Sequence, residues 1–175
     1  MQQRTRRIAM QMIACREEAR IARKLTHDRE HIKHYTLHGV LPEGYVLALN
    51  TAFGTLSCLT YLDKQPALVL QQQFTNNEMN VLRPLLDSYP YYCPYEVLFA
   101  HFYHGEVTER TIERCRANLL KALEDGTWEQ ATRPIRNVLS RVRIKLRIFG
   151  INIVSILETG YILKAAPAPV SSTVA

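Results

Sequence analysis

The chain has 175 residues, 47% of them hydrophobic and 22% charged, with a formal net charge of +6. That length suits one domain with extensions and supplies enough apolar residues for a core. The positive balance favours an anionic partner, and no run approaches the ~20 apolar residues of a membrane span.

Residues 1–7 carry the charge of a signal peptide, but the apolar run that should follow is broken at Gln11 and closed by Arg16, Glu17 and Glu18. A cytoplasmic protein without a membrane partner is therefore expected. Cys15, Cys58, Cys93 and Cys115 are widely spaced and form no C-x-x-C pair. Neither a zinc ribbon nor a redox motif follows from them. No Gly-rich phosphate loop, nucleophile motif or paired-carboxylate signature is present, so neither an enzyme nor a bound cofactor is expected.

Residues 4–35 lack Gly and Pro and read as a helix, with an apolar stripe of Ile8, Met12, Cys15, Ala19, Ala22 and Leu25. Residues 1–42 are taken as a basic helical arm. It could dock on the domain, pair in a coiled-coil homodimer, or lie on DNA phosphates. His27, His31, His34 and His38 recur at helical spacing, and the first two stand as zinc ligands often do. No Cys or carboxylate triad completes a ligand set, so no metal is expected; the alternative is a solvated face ended by Gly39.

Next come three strand-like stretches, 45–50, 55–62 and 66–73, which fit an antiparallel meander. Thr75 and Glu78 form a capping box ahead of Met79, Val81, Leu82, Leu85 and Leu86, and that helix should end before Pro90. Pro94 opens a second helix from 95 to about 104. The aromatics around it, Tyr91, Tyr92, Tyr95, Phe99, Phe102 and Tyr103, read as core. A third helix spans 108–125 and is closed by Gly126; Ile112, Leu119, Leu120 and Leu123 would pad the core. The tail, 165–175, is rich in Ala, Pro, Ser and Thr and reads as disordered.

Residues 133–163 then read as a basic helix, a tight turn and a β-hairpin. Ile135, Leu139, Val142 and Leu146 form one helical stripe. Arg133, Arg136, Arg141, Arg143, Lys145 and Arg147 supply charge, with no acidic residue among them. Arg136, Asn137, Ser140, Arg141 and Ile144 fall on the face opposite the stripe. Arginine can bond guanine, Asn can bond adenine, and surplus cations meet phosphate. Arg133, Arg136, Asn137, Ser140, Arg141, Arg143, Lys145 and Arg147 are thus the candidate DNA-binding residues, over a helix of about 133–147.

The run R-P-I-R-N-V-L-S-R-V-R-I-K-L, followed by I-V-S-I-L-E-T-G-Y-I-L, resembles the recognition helix and closing hairpin of OmpR/PhoB-type winged-helix DNA-binding domains. The resemblance implies an α+β winged helix-turn-helix over 43–164, with an N-terminal antiparallel sheet and a hairpin wing. It implies sequence-specific double-stranded DNA binding for transcriptional regulation. Arg141 then matches a base-reading arginine, and Arg143 a phosphate-binding one. No receiver domain fits in the first 44 residues.

Arg110-Thr111-Ile112-Glu113 resembles the start of the same recognition helix. Glu109, Glu113, Glu124 and Asp125 leave that segment nearly neutral, which weakens its attraction to phosphate. It is read as an insertion, either a surface for RNA polymerase or another protein, or core padding. Leu157-Glu158 stands where the family carries Arg-Gly, which favours the alternative of a protein-interaction or assembly module.

Overall fold

A computed structural model describes residues 31–105 and 107–167. Most of the expected arm and of the expected disordered tail lies outside those residues. The first sheet is antiparallel, in the order β1 (Ile32–Tyr35), β2 (Val46–Asn50), β3 (Thr55–Leu62) and β4 (Gln65–Gln73). The helices α1 (Asn76–Ser88), α2 (Tyr95–His104), α3 (Glu109–Glu124) and α4 (Trp128–Arg147) follow. β5 (Cys93–Pro94), between α1 and α2, joins β6 (Ile151–Ile156) and β7 (Gly160–Ala165) in a small antiparallel sheet of order β5-β7-β6.

The architecture is therefore α+β, as the order of patterns in the sequence indicates. The meander has a fourth strand, however, and the expected helix fails over residues 32–35. Ile32 pairs with Asn50 and Tyr35 with Leu47. On the inner side the Tyr35 hydroxyl donates to Asp87 Oδ1 at 2.7 Å, and Lys33 Nζ lies 3.3 Å from Asp87 Oδ2. Pairing with β2 and these contacts to α1 override local helix propensity. The sheet thus takes in residues assigned to the arm of 1–42.

The histidine stripe dissolves for the same reason. His34 is a strand residue opposite Ala48, and His38 sits in a bridge with Leu41. Helical spacing has no meaning there. His27 lies outside the described residues.

Leu47, Leu49 and Leu56 on the inner sheet face are fully buried with Leu82, Leu85 and Leu86 of α1. Ile135, Leu139, Val142 and Leu146 of α4 join the same core. The stripe read from the sequence is therefore the buried one. α4 begins five residues before Arg133, where the sequence reading starts it beside Pro134. Pro134 lies inside the helix, two residues after Thr132, whose buried hydroxyl donates to the Trp128 carbonyl at 2.9 Å.

Two glycines are required by close approach. At Gly54, φ is +64°, and an added Cβ would lie 2.7 Å from the Phe74 carbonyl oxygen. At Gly160 a Cβ would lie 2.0 Å from the Cys93 carbonyl oxygen. Only glycine lets β5 reach β7 there, so the hairpin stays joined to the start of α2. Gly160→Ala is expected to destabilise the fold by about 1–3 kcal/mol, the range for overpacking. Chemical denaturation measures this; an unchanged midpoint would show that the junction is free to relax.

Candidate nucleic-acid interface

The candidate site is the outward side of α4. Ile135, Val138, Leu139, Val142 and Leu146 hold the other side in the core, each at most 4% exposed. Arg133, Arg136, Asn137, Ser140, Arg141 and Arg147 are exposed, as is Ile144 at 65%. Arg133, Arg136, Asn137 and Ser140 share a shallow polar hollow with Glu129.

The eight expected contact residues are not equally available. Lys145 turns away from the outward face into the seam between α4 and α1. Its Nζ lies 2.7 Å from Glu78 Oε2 and donates to the Gln73 carbonyl at 3.0 Å. The same ammonium stands 5.2 Å from the centre of the Phe74 ring. Arg143 is half-buried, and its Nε donates to the Ile153 carbonyl of β6 at 3.1 Å. These two residues are anchors in the described structure. They sit on the flanks of the helix, where a neighbouring element offers acceptors.

Other side chains are partly engaged. Arg136 pairs with Glu129 one face-repeat earlier on the same helix. Arg141 Nε lies 3.8 Å from Glu78 Oε1 while its side chain stays 59% exposed. The Ser140 hydroxyl donates to the Arg136 carbonyl at 2.9 Å. The side chains of Arg133, Asn137 and Arg147 make no hydrogen bond or ion pair among the described residues. Gln130 is exposed on the same side, ahead of the helix start that the sequence pattern indicates.

Glu78 sets the position of α4. The carboxylate is 2% exposed, accepts from the Thr75 backbone N–H at 2.9 Å, and receives Lys145 on the same oxygen. Burial pushes its pKa up, but the hydrogen bonds from Lys145 and Thr75 and the Lys145 charge outweigh this, leaving it below the ordinary carboxyl value. The capping box predicted at Thr75 therefore also builds the acceptor for a residue 67 positions away.

The hairpin lies beside the helix. Tyr95 contacts Trp128 edge-on at 5.1 Å between ring centres and Tyr161 at 5.3 Å. Burial, reinforced by the hydrogen bond with Tyr95, pushes the Tyr161 hydroxyl pKa up and keeps it protonated. At the tip, Leu157 is 86% exposed and Glu158 has φ of +52°.

The expected aromatic core is only half realised. Tyr95 and Phe99 are buried, whereas Tyr91, Tyr92 and Tyr103 are exposed. α3 packs through Cys115, Leu119 and Ala122, leaving the expected padding residues Leu120 and Leu123 at the surface. Arg116 of α3 ties it to Glu96 of α2 at 3.1 Å. Arg110, Glu113 and Lys121 are exposed.

The chain matches no family model, no curated protein and no solved structure. Among the described residues, no helix is long and apolar enough to cross a membrane.

The seam predicts a stability pattern. Lys145→Met leaves buried Glu78 with only the more distant Arg141 as a cation and should cost about 2–3 kcal/mol, below the ~3–5 of a fully buried pair because Lys145 is partly exposed and Arg141 remains. Glu78→Gln with Lys145→Met should recover most of the loss. Because the folded-state pKa of Glu78 is depressed, its contribution is present above the unfolded-state value of about 4.3 and is lost as pH falls through the folded-state value. The gap between wild type and Lys145→Met should therefore narrow on acidification. Denaturation curves from pH 7 to pH 3 check this, and a pH-independent gap would contradict it.

Proposed function

We propose that the described domain is a winged helix that binds double-stranded DNA sequence-specifically, serves transcriptional regulation and performs no catalysis. The observation that carries this reading is the outward face of α4. It holds several arginines, Asn137 and Ser140 on a helix fixed along one side by core packing and braced by a hairpin. That arrangement suits insertion into a major groove, with phosphate and base contacts divided among the side chains.

Asn137 and Arg133, near the middle of the exposed face, are the proposed base readers. Arg147 and Arg136 meet phosphate, and Ile144 is placed to meet a thymine methyl. Arg141 keeps a base-reading or phosphate role at the rim. Arg143 and Lys145 support the interface by fixing the hairpin and the helix. Glu129 opposes phosphate and holds Arg136 in the free protein.

A second reading, a protein-interaction or assembly module, is favoured by one specific feature. Leu120 and Leu123 lie exposed beside a hollow shared with Tyr95, Trp128 and Glu158. α3 is the proposed surface for RNA polymerase or another protein, within the DNA-binding reading as well.

Electrophoretic mobility shift with random duplex DNA across a salt series separates the two readings. DNA binding predicts a steep loss of affinity with salt. No shift even at low salt would overturn it. Asn137→Ala should cost ~1–3 kcal/mol on a selected site and relax preference at one or two base pairs. Arg147→Ala should weaken all duplexes alike and reduce the salt slope by about one. Glu129→Ala should strengthen binding. Removing charge at Arg110, Glu113 and Lys121 together should leave affinity intact and lower reporter output; a parallel fall in affinity would remove α3 from the partner role.

A further inference from the structure

The outer face of the four-stranded sheet carries no Asp, Glu, Lys or Arg. Lys33 is the one Asp, Glu, Lys or Arg residue in the four strands, and it turns inward to Asp87. Directly opposed residues of an antiparallel pair share a face. Leu47, Leu49, Leu56 and Cys58 point into the core, so Val46, Ala48, Ser57, Leu59, Tyr61 and Leu68 point outward. Tyr61 and Leu68 are 65% and 59% exposed. Polar His34, Asn50, Thr55, Gln71 and Gln73 share this side, and its apolar part, around Val46, Ala48, Leu59, Tyr61 and Leu68, is suited to be covered.

Residues 1–30 precede this sheet in the chain. They run directly into His31 and β1, whose Ile32 shares the outer side with Asn50 and is 37% exposed. Six residues, 26–31, lie between Leu25 and Ile32. Residues 8–25 carry the apolar stripe of Ile8, Met12, Cys15, Ala19, Ala22 and Leu25, and the small residues in it allow close approach to a sheet. A helix over 8–25 would be about 26 Å long. β3, at ~3.4 Å per residue, is of nearly equal length. Residues 8–25 hold four Lys or Arg against two Asp or Glu, off the stripe, so packing the stripe down would leave these cations facing solvent.

We propose that residues 8–25 pack as a helix, within the same molecule, on the outer face of the sheet. The domain then has a layer of helix outside the sheet as well as inside it. This inference is independent of DNA binding.

Cys15 offers a direct test in the full-length chain, because Cys58, Cys93 and Cys115 are buried. Ala48→Cys, Ser57→Cys and Leu59→Cys each place a thiol on the outer face, and Asn137→Cys places one on α4 as a control. Mild oxidation followed by peptide mapping should give an intramolecular link from Cys15 to at least one outer-face position and none to residue 137. Hydrogen exchange of the unmodified chain should be slowed across 8–25. No link at any outer-face position, equal linking to residue 137, links only between two chains, or unprotected exchange over 8–25 would each overturn the proposal. Links between chains would make a second copy the occupant.

Discussion

Glu78 keeps a negative charge at 2% exposure, and the orientation of α4 depends on how that charge is satisfied. A carboxylate at such depth is tolerated only with hydrogen bonds and a cation at hand. Thr75 supplies the first at the start of α1, and Lys145 supplies the second from the end of α4. Lys145 also holds the Gln73 carbonyl, so the last residue of β4, the cap of α1 and the last turn of α4 meet at one point. The apolar stripe of α4 would permit rotation about its axis by a fraction of a turn. The ion pair on one flank and the Arg143 bond to β6 on the other restrict it.

With the helix held in that rotation, Arg133, Asn137, Ile144 and Arg147 face outward together. Holding them on a rigid element would lower the entropy lost on binding a partner. Two basic residues serve this positioning. A count of cations along the segment therefore overstates the charge available to a partner.

Much of the fold was legible because its signals are local. Thr75 and Glu78 mark the start of α1, Pro94 precedes α2, Gly126 follows α3, and the spacing of Ile135, Leu139, Val142 and Leu146 gives the buried side of α4. β1 was not legible. Ile32–Tyr35 continue a helix-compatible run, and only pairing with β2 and the contacts to Asp87 make them a strand. The start of α4 was hidden by Pro134, which local rules place at a first turn. In the candidate site, exposure could be read from periodicity, but the partners of Lys145 and Arg143 could not. Both are contacts between segments far apart in the chain, and helical spacing carries no record of them.

In the proposed function the outward side of α4 is the surface that meets duplex DNA. Backbone and side-chain NMR of the full-length protein, titrated with a duplex selected from a random pool, tests it most directly. The largest perturbations are expected at Arg133, Asn137, Ser140, Ile144 and Arg147, with the α3 face at Arg110 and Lys121 nearly silent. Perturbations centred on α3, or none on α4 at saturating low-salt DNA, would contradict it.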